Sequence, residues 1–176
     1  PRNHSRRSVC MTDKANAMRQ GHELWQRTFR EVSAEYSEIE SFHLYVDVAA
    51  MEMVRNPQRF DVIVTENLFG DILSDLGAAL QGGLGTAASG NIHPGRCSLF
   101  EPVHGSAPDI AGTGKANPMA AVMSGAMMLD HLGHRGAAAT IKKAVKEQIA
   151  AGDMTIDLGG NLSCAEVGDR LLDRVC

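Results

Sequence analysis

Between Phe42 and Leu80 the sequence switches repeatedly between the period of a strand and the period of a helix, and this constrains the fold more than any other feature. Phe42 to Asp47 alternates as a strand does, and a short helical segment from Val48 stops near Asn56-Pro57. The stop has a steric cause, because the residue before a proline is pushed out of the helical region. Phe60 to Thr65 reads as a continuous apolar strand of the kind buried in a mainly parallel sheet. Phe69 to Leu80 returns to helical spacing and ends at Gly82-Gly83, where glycine accepts the left-handed backbone that closes a helix. Strand and helix in alternation predict an α/β fold.

The flanking segments extend the pattern. Met18, Trp25, Phe29, Val32 and Tyr36 recur at helical spacing, which predicts an amphipathic helix within Asp13 to Ser37 with Asp13 as its cap. Gly82 to Arg96 is rich in Gly, Ala and Ser and contains Asn91 and Pro94, so it is expected to be a long connection and a domain boundary. A helix is expected to start at Asn117-Pro118, with Asn as cap and Pro in the first turn, and another to span about Gly136 to Ala151. Ser163 with Glu166 makes a capping box for a last helix ending at Cys176. There is no internal repeat and no low-complexity tract.

The chain has 176 residues, 44% of them hydrophobic, and a net charge of −4. It can bury a core, and it has no electrostatic reason to seek nucleic acid. The longest apolar run, Ala120 to Leu132, is broken by Ser124, Gly125 and Asp130 and falls short of the roughly 20 residues a membrane span needs. Arg6-Arg7 is soon followed by Thr12-Asp13-Lys14, where an export signal would need an apolar region, so a cytoplasmic protein is expected. Cys10, Cys97, Cys164 and Cys176 lie far apart without a Cys-x-x-Cys pair and are expected to be free thiols. The chain opens on Pro1 with seven polar and basic residues lacking any period, which reads as a fragment or a processed product.

Two segments carry chemistry. Residues 101 to 117 form a loop-like run of small residues with one histidine, His104, and one carboxylate deep within it, Asp109. Such a backbone can approach a ligand closely and turn its N–H groups toward phosphate oxygens, and Asp109 could grip a ribose diol. An ordinary surface loop punctuated by Gly and Pro has the same composition. Gly114-Lys115 is not a P-loop, because Ala116 replaces the required Ser or Thr. In the second segment Asp71 and Asp75 stand one turn apart on one helical face, where like charges repel. A hard divalent cation held by oxygen would relieve that repulsion, and a solvated acidic face would tolerate it. Asp47, at a strand-to-helix junction, reads equally as a third carboxylate or a helix cap, and Lys14 as a base or a surface lysine. His104 as a loop spacer and Asn117 as a helix cap are the simple local readings.

Asp13-Lys14-Ala15-Asn16, Tyr45-Val46-Asp47, Asn67-Leu68-Phe69-Gly70-Asp71-Ile72-Leu73-Ser74-Asp75 and the whole of residues 101 to 118 occur in one order and spacing. Together they resemble the β-decarboxylating dehydrogenases, the family of isopropylmalate, isocitrate and tartrate/malate dehydrogenases. The resemblance runs from about Val9 to Arg174. It implies a three-layer sandwich with a mixed sheet, present here as the C-terminal half of two interleaved domains. Residues 1–81 would be the later part of the small substrate and dimerisation domain, and 82–176 the C-terminal part of the large NAD-binding domain.

The implied chemistry is NAD-linked oxidative decarboxylation of a 2-hydroxy acid bearing a carboxylate on C3. Asp47, Asp71 and Asp75 would hold Mg²⁺ or Mn²⁺, and Lys14 would help remove the hydroxyl proton, directly or through a water. Asn16 would lie near the nicotinamide. His104, Gly105, Ser106, Ala107, Asp109, Ile110 and Asn117 would wrap the adenosine half, with Asp109 favouring NAD over NADP. A homodimer would share its active sites, Lys14 and Asp47 of one subunit facing Asp71 and Asp75 of the other. The family's chains are roughly twice as long, and the preceding half carries the arginines that grip the substrate carboxylates and the tyrosine that protonates the enolate. Within the family the likeness leans to 3-isopropylmalate, with tartrate or D-malate as the alternative substrates. A catalytically silent fragment serving as a dimerisation partner is the alternative from another class.

Overall fold

Ser8 to Asp13 carries no helical period, and it forms a strand, β1, at the middle of a parallel sheet. The computed structural model describes residues 6–176, so the start of the aperiodic opening, at 1–5, lies outside the described residues. Two compact units divide the chain, one ending at Gly77 and one running from Ala78 to Cys176.

In the first unit β1 leads to helix α1 (Arg19–Ala34), strand β2 (Glu40–Tyr45), helix α2 (Val46–Arg55), strand β3 (Val62–Val64) and helix α3 (Asn67–Gln81), within which the division falls. The strand order is β2-β1-β3, all parallel, with Asp13 opposite Tyr45 on one side and Met11 opposite Val64 on the other. Parallel neighbours need crossovers, and α1 and α2 supply them. Flanked on both edges, β1 is the most buried strand, with Cys10, Thr12 and Asp13 at 0% exposure. Burial pushes the Cys10 thiol up to about 11, so it stays protonated and unreactive at neutral pH.

The expected cap at Asp13 is corrected by this arrangement. Asp13 ends β1, and α1 begins at Arg19 without a side-chain cap. The carboxylate caps a tighter turn instead, its Oδ1 accepting the Ala15 N–H at 2.9 Å. Of the residues at helical spacing, Trp25 turns inward and donates through Nε1 to the Thr12 carbonyl at 3.2 Å, whereas Met18 and Val32 stay exposed.

The second unit holds strands β4 (Ala88–Asn91) and β5 (Leu99–Pro102), paired antiparallel, and helices α4 (Met119–His131), α5 (Arg135–Ala150) and α6 (Cys164–Val175). Gly83, at φ +107°, donates its N–H to the Ala78 carbonyl at 2.7 Å and closes α3 as expected. The stretch 82–96 is not the unbroken connection expected, because β4 lies within it and pairs with a strand that takes in Glu101 and Pro102. The hairpin packs on α4, with the Phe100 and His131 rings 5.4 Å apart. Met119, Ala144, Val145, Val167 and Leu171 form the core where α4, α5 and α6 meet.

The capping box forms as expected: the Glu166 carboxylate accepts the Ser163 N–H at 2.8 Å, and Ser163 Oγ accepts the Glu166 N–H at 3.3 Å. The α/β class is as expected, with parallel and antiparallel pairing in two separate sheets. All four cysteines are free. Among the described residues no helix is long and apolar enough to cross a membrane.

Candidate active site

Each unit brings together one group of the residues singled out above. In the first unit the three parallel strands present their carboxyl ends on one side of the sheet. From β1 the chain moves outward to β2 and then crosses to β3 on the opposite side, so β1 is where the order reverses. Ligand crevices in open α/β sheets form outside the carboxyl ends at such points. Lys14, directly after β1, and Asp47, in the first turn of α2, meet there with Nζ and Oδ1 2.6 Å apart. The lysine also lies over the Tyr45 ring, 5.7 Å from its centroid.

The pairing with Lys14 is the main reason the Asp47 carboxyl is held below the ordinary carboxylate range, aided by its own and the Val48 backbone N–H groups. The aspartate remains 61% exposed at its side chain and open to a further partner. Asn16 is exposed on the turn leading from β1 to α1.

Asp71 and Asp75 are exposed on α3, while Leu73 on its other side is buried and Leu76 half-buried. The face expected from their spacing is present. Glu66, just ahead of α3, does the capping, its carboxylate accepting the Leu68 and Phe69 N–H groups at 2.7 and 2.9 Å. Among the described residues no three His, Cys, Asp or Glu side chains come together to hold a metal ion. Asp47 is thus gathered with Lys14, and Asp71 with Asp75, without the three aspartates meeting in one chain. As donors the three offer only hard carboxylate oxygens, two of them exposed and adjacent, which suits Mg²⁺ or Mn²⁺.

The second unit contains a cleft of about 580 Å³. His104, Gly105, Ser106, Ala107, Ile110 and Asn117 line it, all expected; Asp109 is exposed on the short 3-10 turn Pro108–Ile110 and lies outside the lining. A side-chain carbon added at Gly105, Gly112 or Gly114 would meet nothing within 4 Å, so bare backbone faces open space there. Ala107 holds a left-handed backbone at φ +41°, a strained conformation for a residue with a side chain and one that clusters at functional sites. His104 pairs through Nδ1 with the Gly105 carbonyl at 2.9 Å. This cleft lies within the size range of small-molecule sites, and much of its wall is built of small residues.

α4 starts at Met119 with Pro118 rather than Asn117 at its N-cap position, and Asn117 holds the helix start from one residue further out. Its Oδ1 accepts the Met119 N–H at 2.9 Å, and its Nδ2 donates to Asp157 Oδ2 at 2.9 Å. Asp157 also accepts from the Thr155 hydroxyl, and Thr155 is fully buried. Gly85 has to be glycine beside this pair, because a side-chain carbon would sit 2.6 Å from Asp157 Oδ2 and 2.9 Å from Asn117 Cβ. Sequence reasoning missed Asp157 and Gly85. Their pairing with Asn117 joins distant segments, and no local spacing signals it.

Residues 1–171 match the isocitrate/isopropylmalate dehydrogenase family, and the chain belongs to it. It is 52% identical over 169 residues to the 3-isopropylmalate dehydrogenase of Thermobifida fusca, covering 95% of this chain and 47% of that protein. With the enzyme of the same name from Zymomonas mobilis it shares 48% identity over 166 residues, covering 94% of this chain and 47% of the relative. The crystal structure of isocitrate dehydrogenase from Methylococcus capsulatus superposes with a TM-score of 0.95 at 47% identity, covering 99% of this chain and 52% of that one. The apo form of a β-decarboxylating dehydrogenase from Thermococcus kodakarensis gives a TM-score of 0.84 at 42% identity, covering 95% and 49%. The chain spans about half the length of the curated relatives it matches.

Proposed function

We propose that the protein containing this chain is an NAD-linked, Mg²⁺- or Mn²⁺-dependent β-decarboxylating dehydrogenase acting on 3-isopropylmalate. The observation that carries this reading is the contact between Lys14 and Asp47 at the carboxyl ends of the parallel strands. It sets an amine beside a metal-type carboxylate, in a chain whose relatives at 48 to 52% identity include 3-isopropylmalate dehydrogenases.

Asp47, Asp71 and Asp75 would hold the cation, the last two supplied across a homodimer. When bound, the cation would supply Lewis-acid polarisation to the substrate, and the nicotinamide would supply the hydride acceptor for the oxidation that precedes loss of carbon dioxide. Lys14 takes the C2 hydroxyl proton, directly or through a water, and Asn16 on the adjoining turn orients the nicotinamide. In the second unit His104 to Ala107, Ile110 and Asn117 hold the adenosine, with Asp157 fixing the Asn117 amide. Asp109, at the turn beside the cleft, accepts from the ribose 2′-hydroxyl and repels a 2′-phosphate, which makes NAD the cofactor over NADP.

Residues up to 81 act in the small substrate and dimerisation domain, and 82–176 in the large NAD domain. Met51 and Val54 on α2 and Leu68 and Ile72 on α3 are about half exposed, an apolar set that supports the homodimer. The test is NADH formation by the intact protein with 3-isopropylmalate, tartrate, D-malate and isocitrate in Mg²⁺ or Mn²⁺. The expected result is the highest kcat/KM for 3-isopropylmalate. A preference for tartrate or D-malate reassigns the substrate, and no turnover with any of the acids favours the silent dimerisation partner.

A further inference from the structure

We propose that His22 and Asp13 are positioning residues that lock the backbone of Lys14 and so set the aim of its amine, a role that rests on the dehydrogenase reading above. Lysine carries its charge on a long flexible stem, so the position of Nζ is only as definite as the backbone it springs from. Lys14 is the first residue beyond β1, where the ladder of the sheet no longer holds the chain.

Its backbone is nonetheless tied on every side. The Lys14 N–H donates to His22 Nδ1 at 2.7 Å. The Lys14 carbonyl accepts the N–H groups of Ala17 and Met18 at 2.9 and 2.8 Å. The next amide, that of Ala15, donates to Asp13 Oδ1 at 2.9 Å. Both side-chain acceptors are buried, Asp13 at 0% and His22 at 6% exposure, where a hydrogen bond is strong and a lost partner costly.

The two acceptors are held in turn. The His22 ring meets the Phe69 ring edge-on, with centroids 5.6 Å apart, and the His22 backbone N–H donates to the Met18 carbonyl at 3.2 Å. Because Nδ1 accepts from an amide it carries a lone pair, which assigns the ring proton to Nε2. His43 Nε2 lies 3.2 Å from Asp13 Oδ1 and holds that carboxylate. A connecting turn usually leaves such backbone groups to water. Here two polar side chains are buried to take them, beside the one lysine that meets Asp47, and the same turn carries Asn16.

A merely structural turn and a positioning lock are separated by three variants of the intact protein, His22→Leu, His22→Asn and Asp13→Asn. The measurements are hydrogen exchange at the Lys14 amide and steady-state kcat and KM with 3-isopropylmalate and NAD. In His22→Leu the Lys14 amide is expected to exchange faster and kcat to fall on the order of 10²-fold, as a misplaced catalytic group does, with KM for NAD unchanged. His22→Asn and Asp13→Asn keep an acceptor oxygen and are expected to retain most of the protection and turnover. Should His22→Leu not fold, His22→Gln replaces it, because the longer stem moves the acceptor out of reach with polarity kept.

A protected Lys14 amide in His22→Leu, an unchanged kcat, or an Asn variant no better than Leu overturns the proposal. Absence of turnover in the unsubstituted protein overturns the dehydrogenase reading instead, and exchange at the Lys14 amide then decides the lock by itself.

Discussion

At Asp13 burial works against ionisation, and the Ala15 amide, the Gln26 side chain and His43 outweigh it, so the carboxyl is held below its ordinary 3.8. A carboxylate lowered in the folded state contributes stability above its ordinary range, and that contribution is lost as pH falls through the folded value. Asp13→Asn should therefore lower the urea midpoint near neutrality, and the gap from the unsubstituted protein should narrow as pH falls below the ordinary aspartate value of 3.8. Asp109 makes a different kind of prediction, since it is exposed and its role would be in recognition. Asp109→Ala should leave stability unchanged and narrow the ratio of kcat/KM for NAD over NADP; an unchanged ratio would remove the proposed ribose contact. At this scale the candidate residues were legible as types. Which of them touch was not, because the Lys14–Asp47 contact closes across 33 positions and Asn117–Asp157 across 40.

Among the elements, α6 shows a cap that can be read from sequence and found intact. Ser163→Ala should cost about 1 kcal/mol, the usual worth of an N-cap, measured by urea unfolding. Helix α3 would join stability to the proposed function, because Asp71 and Asp75 are like charges one turn apart on an exposed face. Asp71→Asn with Asp75→Asn should raise or preserve the melting temperature while abolishing metal-dependent turnover. Activity retained in that double variant would sink the metal assignment. Strands were less legible than helices. The segment Ala88–Asn91 is built of small and polar residues with low strand propensity, and it becomes a strand only because Leu99–Pro102 pairs with it. β1 was hidden for another reason: it is buried on both sides, so it shows no alternation, and its end at Asp13 imitates a helix cap.

For the whole molecule, the two units hold different halves of the proposed chemistry, carboxylates and lysine in the first and the small-residue cleft in the second. A homodimer would bring the aspartates of α3 to the Lys14–Asp47 pair of another copy. Ile72→Glu places a charge in the exposed apolar set beside Asp71, and should shift the intact protein from dimer to monomer by light scattering while turnover falls in parallel. Full turnover from a monomeric variant would refute the shared site.

By itself the sequence determined the α/β class, the C-terminal end of α3 at Gly82-Gly83, the acidic face of that helix and the cap of α6. Each of these is a local matter of periodicity, capping or chain breaking inside one element. Only the tertiary structure decided that Asp13 ends a buried central strand, that Asp157 holds Asn117 with Gly85 leaving room, and that His22 reaches the Lys14 amide. These depend on which segments become neighbours once the apolar faces are buried, and residue spacing along a chain does not encode that.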